Sequence, residues 1–544
     1  MAALEIPHQS IYIESTDEIK RLHDFYSKNL NYKIINNKFN IFIKDSPLIN
    51  GKTFTYNNDN LAAVFYRDYY QLFYTKYQYK ELFNLIESKK KIIIRTGDPY
   101  LRRLLIGYKK AGYKNIKIHR HNLYRFSVLI TDLLKIFLNL YTFIRHPFFI
   151  FFKKKCLVHT SNNFGPNTKY DYRIAPVIKK IDENNIPQLF LIRTTHSPLK
   201  IIKNHFARDH ICIYTDSIIK IANMAGIIRN FISFNGTKTS FDTIIFQKLN
   251  HGIYPIIYSI NILKFFLKMF KSNTAFISDN SERSIIELVA SNQLKINTIG
   301  IQMGVELYFY HGHKFAHGME KRLKFMAHNK FGVWSKGWES YFIKHSKVFE
   351  KNNIFIAGFH RNVARREKNN LKKNNVKKVL WLCENLTPVE EIVEYIGALL
   401  KNDFDLCIKA RPQQKDAGDN VASELIEYFG KDKFTVITDP IEICASDYDL
   451  AIGSYTTALL DCGLMGVPVL IIKNNTWEDI FDLQDNPILA PVYAKDSSDL
   501  ISKINNLPIQ SISLFLEEYA PDYRLNGSDW VLEELQKSFE NKLV

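Results

Sequence analysis

The sequence predicts an α/β protein of two Rossmann-like doubly wound domains facing a cleft, preceded by a smaller α/β module. Three observations lead there. From Cys156 to about residue 508 short apolar runs alternate with helix-like stretches, the pattern of a parallel sheet with helices on both faces. The alternation falls into two series of similar length, 156–325 and 326–508, each of ordinary domain size. Within the second series, Asp449 to Ile472 reads as a complete strand–turn–helix–strand unit. Leu450–Ile452 is apolar, Gly453-Ser454-Tyr455 is a turn, Thr456–Met465 is helical in pattern, Gly466 and Pro468 stop it, and Val469–Ile472 is the next strand.

In chain order, residues 1–122 read as the small module. Strands are expected at Ala62–Tyr66, Lys91–Arg95 and Asn115–His119, with helices at Tyr79–Lys89 and Pro99–Lys110. Residues 123–155 follow. Phe126–Phe152 is the most apolar long segment and runs into Lys153-Lys154-Lys155. Asp132, Lys135, Arg145 and His146 interrupt it and Pro147 breaks it, so a membrane span is not expected. An interfacial amphipathic helix with a basic flank is one reading, and a buried inter-domain helix is the other.

The first series has candidate strands at Cys156–Ser161, Leu189–Arg193, Ile211–Thr215, Thr243–Phe246, Thr274–Ser278 and Thr298–Gln302. The second series has them at Phe331–Trp334, Ile354–Ala357, Val379–Leu382, Leu406–Lys409, Thr435–Thr438, Leu450–Ile452 and Val469–Ile472. A basic Lys/Asn-rich stretch from Arg361 to Lys378 reads as a loop, and 509–544 as a helical tail.

Composition narrows the function classes. A hydrophobic content of 46% excludes a disordered chain. The net charge of +18 points to nucleic acid, an anionic membrane surface or phosphorylated substrates. It carries little weight alone, because Lys, Asn and Ile are abundant throughout. The six cysteines form no CxxC pair, so free thiols in a reducing compartment are expected. The start, Met1 to His8, has no basic region followed by an apolar run, and a cytoplasmic location follows as an expectation.

Candidate chemistry gathers at strand ends. Ser454, Thr456 and Thr457 at a helix start suit a phosphate, with Gly453 and Tyr455 in the same turn and Asp461 one helical turn on. Lys409, Arg411 and Pro412 follow a strand, and the two cations can neutralise phosphate charge. Glu384 ends at the same sheet edge and can touch a base or ribose or simply cap a helix. The histidines of Tyr310-His-Gly-His-Lys-Phe-Ala-His317 lack a Cys or acidic ligand set nearby and read as a polar loop.

Several motifs resemble one family. Lys409-Ala-Arg-Pro412 looks like the Lys-x-His-Pro element of bacterial sialyltransferases, capsule transferases and CDP-glycerol glycerophosphotransferases. Ile452–Thr457 through Asp461 resembles their Ser/Thr-rich turn and helix, and Thr298–Gly304 their Thr-x-x-x-Gln-His-Gly element. Phe331–Lys336, Ile354–Arg361 and Asn526–Trp530 resemble further segments, so the likeness spans roughly residues 156–540. It implies the GT-B fold of surface-polysaccharide glycosyltransferases. An amino-terminal domain takes the acceptor, and a carboxyl-terminal domain takes a nucleotide-activated sugar. No cofactor and no metal are implied. The pattern's histidines are replaced by Met303 and Arg411, so another base is needed, and Asp171 and Glu306 are the candidates.

The leading expectation is a transferase acting on a glycan or lipid-linked acceptor, peripheral at the inner face of an anionic membrane. A glycerol-phosphate-type polymer transferase, a UDP-sugar 2-epimerase and a non-catalytic membrane- or nucleic-acid-binding scaffold are the alternatives. The chain shows no recognisable nucleic-acid motif, so nucleic acid is not expected as a partner.

Overall fold

The computed structural model describes the chain except residues 1, 7–8, 14–37, 39–54, 57–58, 62–65, 97–98, 111, 120–121, 162–170, 172, 195, 229–240, 279–281, 305–323, 346–347, 361–375, 384–386, 388, 411–417, 455, 474–480, 523 and 541–544. The amino-terminal module contains β1 (Ala2–Ile6), β2 (Gln9–Ile13), a two-residue hairpin of β3 (Thr55–Tyr56) and β4 (Asp59–Asn60), α1 (Tyr66–Gln78), α2 (Lys80–Glu87), β5 (Ile92–Thr96), α3 (Pro99–Lys110) and β6 (Ile116–His119). Its sheet runs β1-β2-β5-β6, antiparallel except for the β5–β6 pair. The α2 spacing Leu82, Phe83, Ile86 puts one apolar stripe inward, and Phe83 stacks on Tyr108 at 4.8 Å. The strand expected at 62–66 falls outside the described residues except Tyr66, which opens α1.

A connector follows: α4 (Asn122–Arg145) and α5 (Pro147–Phe151). The break is at His146-Pro147, as expected, because proline brings no N–H and fits the first position of a new helix. Lys155, fully buried, locks the connector in place. Its ammonium donates to the carbonyl oxygens of Phe149 (2.9 Å), Ile150 (2.8 Å), Lys153 (2.8 Å) and Phe270 (2.7 Å). Phe149, Ile150 and Phe270 offer the open carbonyls of helix ends, where a cation is favoured.

The first large sheet comes from β7 (Cys156–Ser161), α6 (Ala175–Glu183), β8 (Gln188–Arg193), α7 (Pro198–Phe206), β9 (Ile211–Tyr214), α8 (Thr215–Ile228), α9 (Phe241–Met269), β10 (Thr274–Ile277), α10 (Glu282–Gln293), β11 (Asn297–Ile301), β12 (Lys330–Val333), α11 (Lys336–His345) and β13 (Ile354–Ile356). All seven strands are parallel in the order β13-β12-β11-β10-β7-β8-β9. The strands are nearly all buried, as sheets covered on both faces require.

The second sheet comes from β14 (Lys378–Leu382), α12 (Val389–Lys401), β15 (Asp405–Lys409), α13 (Gly418–Phe429), β16 (Thr435–Ile437), α14 (Ile441–Cys444), β17 (Leu450–Gly453), α15 (Thr457–Leu464), β18 (Val469–Ile472), β19 (Tyr493–Ala494) and α16 (Ser497–Asn505). It is parallel throughout, in the order β16-β15-β14-β17-β18-β19. Gly466 sits at φ 81° after α15, the left-handed stop its sequence position called for.

Two expectations need correction. The strands at Phe331–Trp334 and Ile354–Ala357 read as the opening of the second domain, but β12 and β13 extend the first sheet. Alternation along a chain marks a strand without saying which sheet it joins. Thr243–Phe246 reads as a strand, yet it lies inside α9, which packs along α8. The helix as a whole outweighs the local strand preference of Thr243, Ile244 and Ile245.

The carboxyl-terminal residues form α17 (Ile509–Tyr519), packed on α11 and α15, and α18 (Gly527–Glu540), which returns to the first sheet. Gly332 on β12 makes the return possible: a Cβ there would lie 2.7 Å from the Trp530 ring and 2.6 Å from Ala357 Cβ. Lys180 pairs with Asp529 at 2.8 Å, and Lys330 pairs with Glu534.

Lys155→Met is expected to leave helix-end carbonyls buried without a donor and to lower unfolding free energy by about 3 kcal/mol or more. A urea titration checks this. A midpoint within experimental error of the parent's would show that the ammonium is not holding the connector.

Candidate functional site

Both large sheets place their first strand centrally, send the next two to one side and the rest to the other. Each therefore has a point where the strand order reverses, and the crevice at the carboxyl ends of those two strands is the usual ligand site of such sheets. In the second sheet the reversal lies between β14 and β17. Two hydroxyls span it: Thr387, after β14, and Ser454, after β17, are 2.7 Å apart and buried. Gly453, at the end of β17, is tightly placed between Leu382 and Thr456. A Cβ there would lie 3.3 Å from Leu382 Cβ and 3.4 Å from Thr456 Cγ2.

The turn opens directly into α15. Thr456 is its cap residue, with Oγ1 accepting from the Ala458 N–H at 3.3 Å. Thr457 begins the helix and is partly exposed, and Asp461 lies one turn along on the buried side. Lys409, at the end of β15 and opposite Leu382 in register, is buried. Its ammonium donates to Ala410 O at 2.7 Å. Burial holds this ammonium below the ordinary lysine range, while Cys444, Asp439 and Glu442 pull it back.

The first sheet contributes the turn after β11. Gln302 is fully buried and its side chain shapes that turn: Nε2 donates to Gly304 O at 2.9 Å, and Oε1 accepts from the Trp334 N–H at 3.1 Å. The turn meets the second sheet's helix start. A Cβ on Gly304 would lie 3.7 Å from Thr457 Oγ1. The Gln302–Gly304 turn and the start of α15, from separate sheets, are thus brought face to face.

The first sheet's own reversal lies between β7 and β10. Asp171, which follows β7, is buried. Its carboxylate accepts from Arg173 at Oδ1 (3.0 Å from Nε) and at Oδ2 (2.6 Å from Nη2). To serve as a base it has to release that guanidinium. Nearby, Arg193 at the end of β8 forms a forked pair with Glu287 of α10 at 2.5 and 2.6 Å. Burial pushes the Glu287 carboxyl up and Arg193 pulls it back. His159 of β7 is buried, and neither ring nitrogen has a hydrogen-bond partner. Burial, aided by Arg193, pushes it down to about 3.

Glu306, Glu384, Arg411, Pro412, Tyr455 and the histidines at 311, 313 and 317 lie outside the described residues. Gln302 is the Gln of the Thr298–Gly304 element read from the sequence, whereas Thr387, His159 and the Arg193–Glu287 pair were not singled out. Thr387 lies in the turn already marked by Glu384. The others depend on strand order, for which local sequence has no signal. Among the described residues no group of three or more His, Cys, Asp or Glu side chains gathers as a metal site.

No protein family's model matches the chain, and no curated protein matches it. Among solved structures it is similar to a glycosyltransferase from Rickettsia africae ESF-5, at 12% identity over 72% of this chain and 100% of that one, with a TM-score of 0.41. It is similar to the UDP-GlcNAc 2-epimerase from Neisseria meningitidis bound to UDP-GlcNAc, at 12% identity over 71% and 100%, TM-score 0.41. MurG from Acinetobacter baumannii matches at 10% identity over 70% and 99%, TM-score 0.43. At such scores and identities these likenesses decide nothing about activity; the two-sheet α/β architecture stands on the strand pairings.

His159 makes stability pH-dependent. Its folded value of about 3 lies below the unfolded value of about 6.5. The unfolded chain therefore binds an extra proton between those limits. The stability is fully present above about pH 6.5 and is lost as pH falls toward 3, at up to about 1.4 kcal/mol per pH unit. His205, pushed down to about 4 by burial, adds in the same direction. Urea unfolding from pH 7 to 4 is expected to show this slope, reduced by about half in His159→Leu; an unchanged slope would place the proton elsewhere.

Proposed function

We propose that the chain is a GT-B-type glycosyltransferase that moves a sugar or sugar-like unit from a nucleotide-activated donor to a surface polysaccharide or lipid-linked acceptor. The observation that carries this reading is the approach of Gly304 to Thr457, which joins the carboxyl-end turns of two doubly wound sheets across one crevice. The donor's phosphates belong at the start of α15, at the positive end of the helix and beside the hydroxyl residues Ser454, Thr456 and Thr457. Lys409 and, from its sequence position, Arg411 supply fixed positive charge for the departing nucleotide. Thr387 and, from its sequence position, Glu384 are assigned to the nucleoside end.

The acceptor hydroxyl then belongs on the first sheet's side. Its proton goes to a carboxylate there, Asp171 once freed from Arg173 or Glu306 after the Gln-Met-Gly turn. The phosphate contacts contribute most if they strengthen as negative charge gathers on the leaving diphosphate. Such an enzyme works from the inner face of the membrane if its acceptor is lipid-linked.

Thermal shift with CMP-, CDP- and UDP-linked sugars is expected to give stabilisation by one class only. Thr457→Val and Arg411→Ala are each expected to weaken binding of that donor about tenfold with the unfolding midpoint unchanged. Thr456→Ala additionally loses a helix cap, about 1 kcal/mol, so Thr457→Val is the cleaner variant. Unaltered donor affinity in both clean variants would remove the site assignment. Conversion of UDP-GlcNAc without any acceptor would instead identify an epimerase.

A further inference from the structure

The helix α4 is amphipathic in the reverse of the usual sense. Its polar residues at 135, 139 and 142 form an inward stripe. Lys135 donates to Thr194 O at 2.7 Å and pairs with Asp216, and Asn139 donates to Tyr214 O at 3.0 Å and accepts from the Tyr214 N–H at 2.8 Å. These bonds fix the rotation of the helix. On its outward side Leu133, Phe137, Leu140 and Ile144 recur at three- and four-residue steps, and Ile144 is 80% exposed. A soluble helix normally turns such a stripe to its core.

The apolar face extends beyond this helix. Phe148 on α5 is 72% exposed and stacks on Phe152 at 5.9 Å. The neighbouring α7 adds Leu199, 81% exposed, and Phe206, whose ring meets Tyr141 of α4 at 5.6 Å. The rim is cationic. Arg145, Lys153, Lys154, Lys200 and Lys203 are all exposed. From Asn122 to Phe152 the single acidic residue is Asp132, which pairs with Lys220, and α7 has none.

We propose that the joint outer face of α4, α5 and α7 docks into an anionic lipid bilayer surface, lying in the headgroup plane with its aromatic and aliphatic side chains inserted. Apolar insertion and attraction of a cationic rim by anionic lipid add for such a surface. No described helix is long and apolar enough to cross a membrane, which fits a face that lies on the bilayer. A second copy of the chain is the poorer occupant, because a two-fold contact brings two cationic rims together. The proposal does not depend on the transferase reading, since it concerns a different surface and a measurement without donor.

The test is co-sedimentation of the full chain with vesicles of phosphatidylcholine alone or with roughly one-third phosphatidylglycerol. The chain is expected to bind the anionic vesicles and to bind the neutral ones weakly. The triple variant Phe137→Ser, Ile144→Ser, Phe148→Ser is expected to lower the partition coefficient on anionic vesicles at least about tenfold, with an unchanged thermal midpoint. Lys200→Glu with Lys203→Glu is expected to lower binding to anionic vesicles only. Donor affinity is expected to be unmoved in both variants, so failure here is distinct from failure of the donor site. Absence of binding to anionic vesicles at low salt, or parent-like binding by the triple variant, would overturn the proposal. So would a dimer in light scattering that the triple variant dissolves, which would assign the face to a second copy.

Discussion

Gln302 is the residue on which the geometry of the cleft depends. It directly follows β11 in a position that is fully buried, where an unpaired amide would be costly. Its side chain is satisfied by Gly304 O on one side and the Trp334 N–H on the other, while Trp334 Nε1 donates to Gln302 O at 2.9 Å. Trp334 is in turn set edge-on to Trp338 at 6.1 Å, and Trp338 to Phe481 at 5.8 Å. Trp338 Nε1 donates to Tyr519 O at 2.8 Å, and the Tyr519 hydroxyl to Phe481 O at 2.6 Å. A continuous path of hydrogen bonds and aromatic contacts thus runs from the first sheet's turn into the packing around α17. Gly463 lets α15 lie close under Leu516 of that helix. The turn that approaches Thr457 and the helix that Thr457 begins are therefore braced by one set of contacts.

That bracing explains why small residues stand where the sheets meet. A Cβ on Gly453 would press on Leu382 and Thr456, and one on Gly304 would reach Thr457, so glycine allows the close approach of these segments. The charged residues are set back: Lys409 is buried with its ammonium on a backbone carbonyl, and Arg193 is engaged by Glu287. In the proposed enzyme, short dipolar groups line the crevice and full charges act from behind. Such an arrangement is preorganised, with little rearrangement needed as charge develops on a leaving group.

The legible part of the molecule was the part that local pattern determines. Asp449–Ile472 announced its strand, turn, helix and stop because each depends on residues within one or two turns, down to Gly466 in its left-handed conformation. The strand order was not legible. Trp381 pairs with Ile452 across seventy-one positions (452 minus 381), and no periodicity reports that. Thr387 was missed for this reason, since its partner Ser454 becomes a neighbour only once β17 returns beside β14. The same gap misassigned β12 and β13, whose alternating pattern is correct for a strand in either sheet. The α4 segment was read correctly as apolar and broken at Pro147, but hydrophobicity cannot say which stripe faces inward. That was decided by Lys135 and Asn139, whose partners lie on the β8 and β9 ends and on α8.

Lys155 connects the two proposals mechanically. The ammonium that closes the carboxyl end of α5 also takes the carbonyl of Phe270, just after α9, and its own residue leads directly into β7. The apolar face carried by α4 and α5 is therefore rigidly joined to the first strand of the first sheet. Asp171 follows that strand, and the proposed acceptor side lies at its carboxyl end. In the proposed enzyme a water-soluble nucleotide donor needs no such attachment and is assigned to the other sheet. A lipid-linked acceptor stays in the bilayer, so the half of the enzyme that receives it is the half that has to be held at the membrane surface. The joint apolar face of α4, α5 and α7 beside the first sheet, and the hydroxyl residues at the second sheet's strand ends, fit that proposed division of labour.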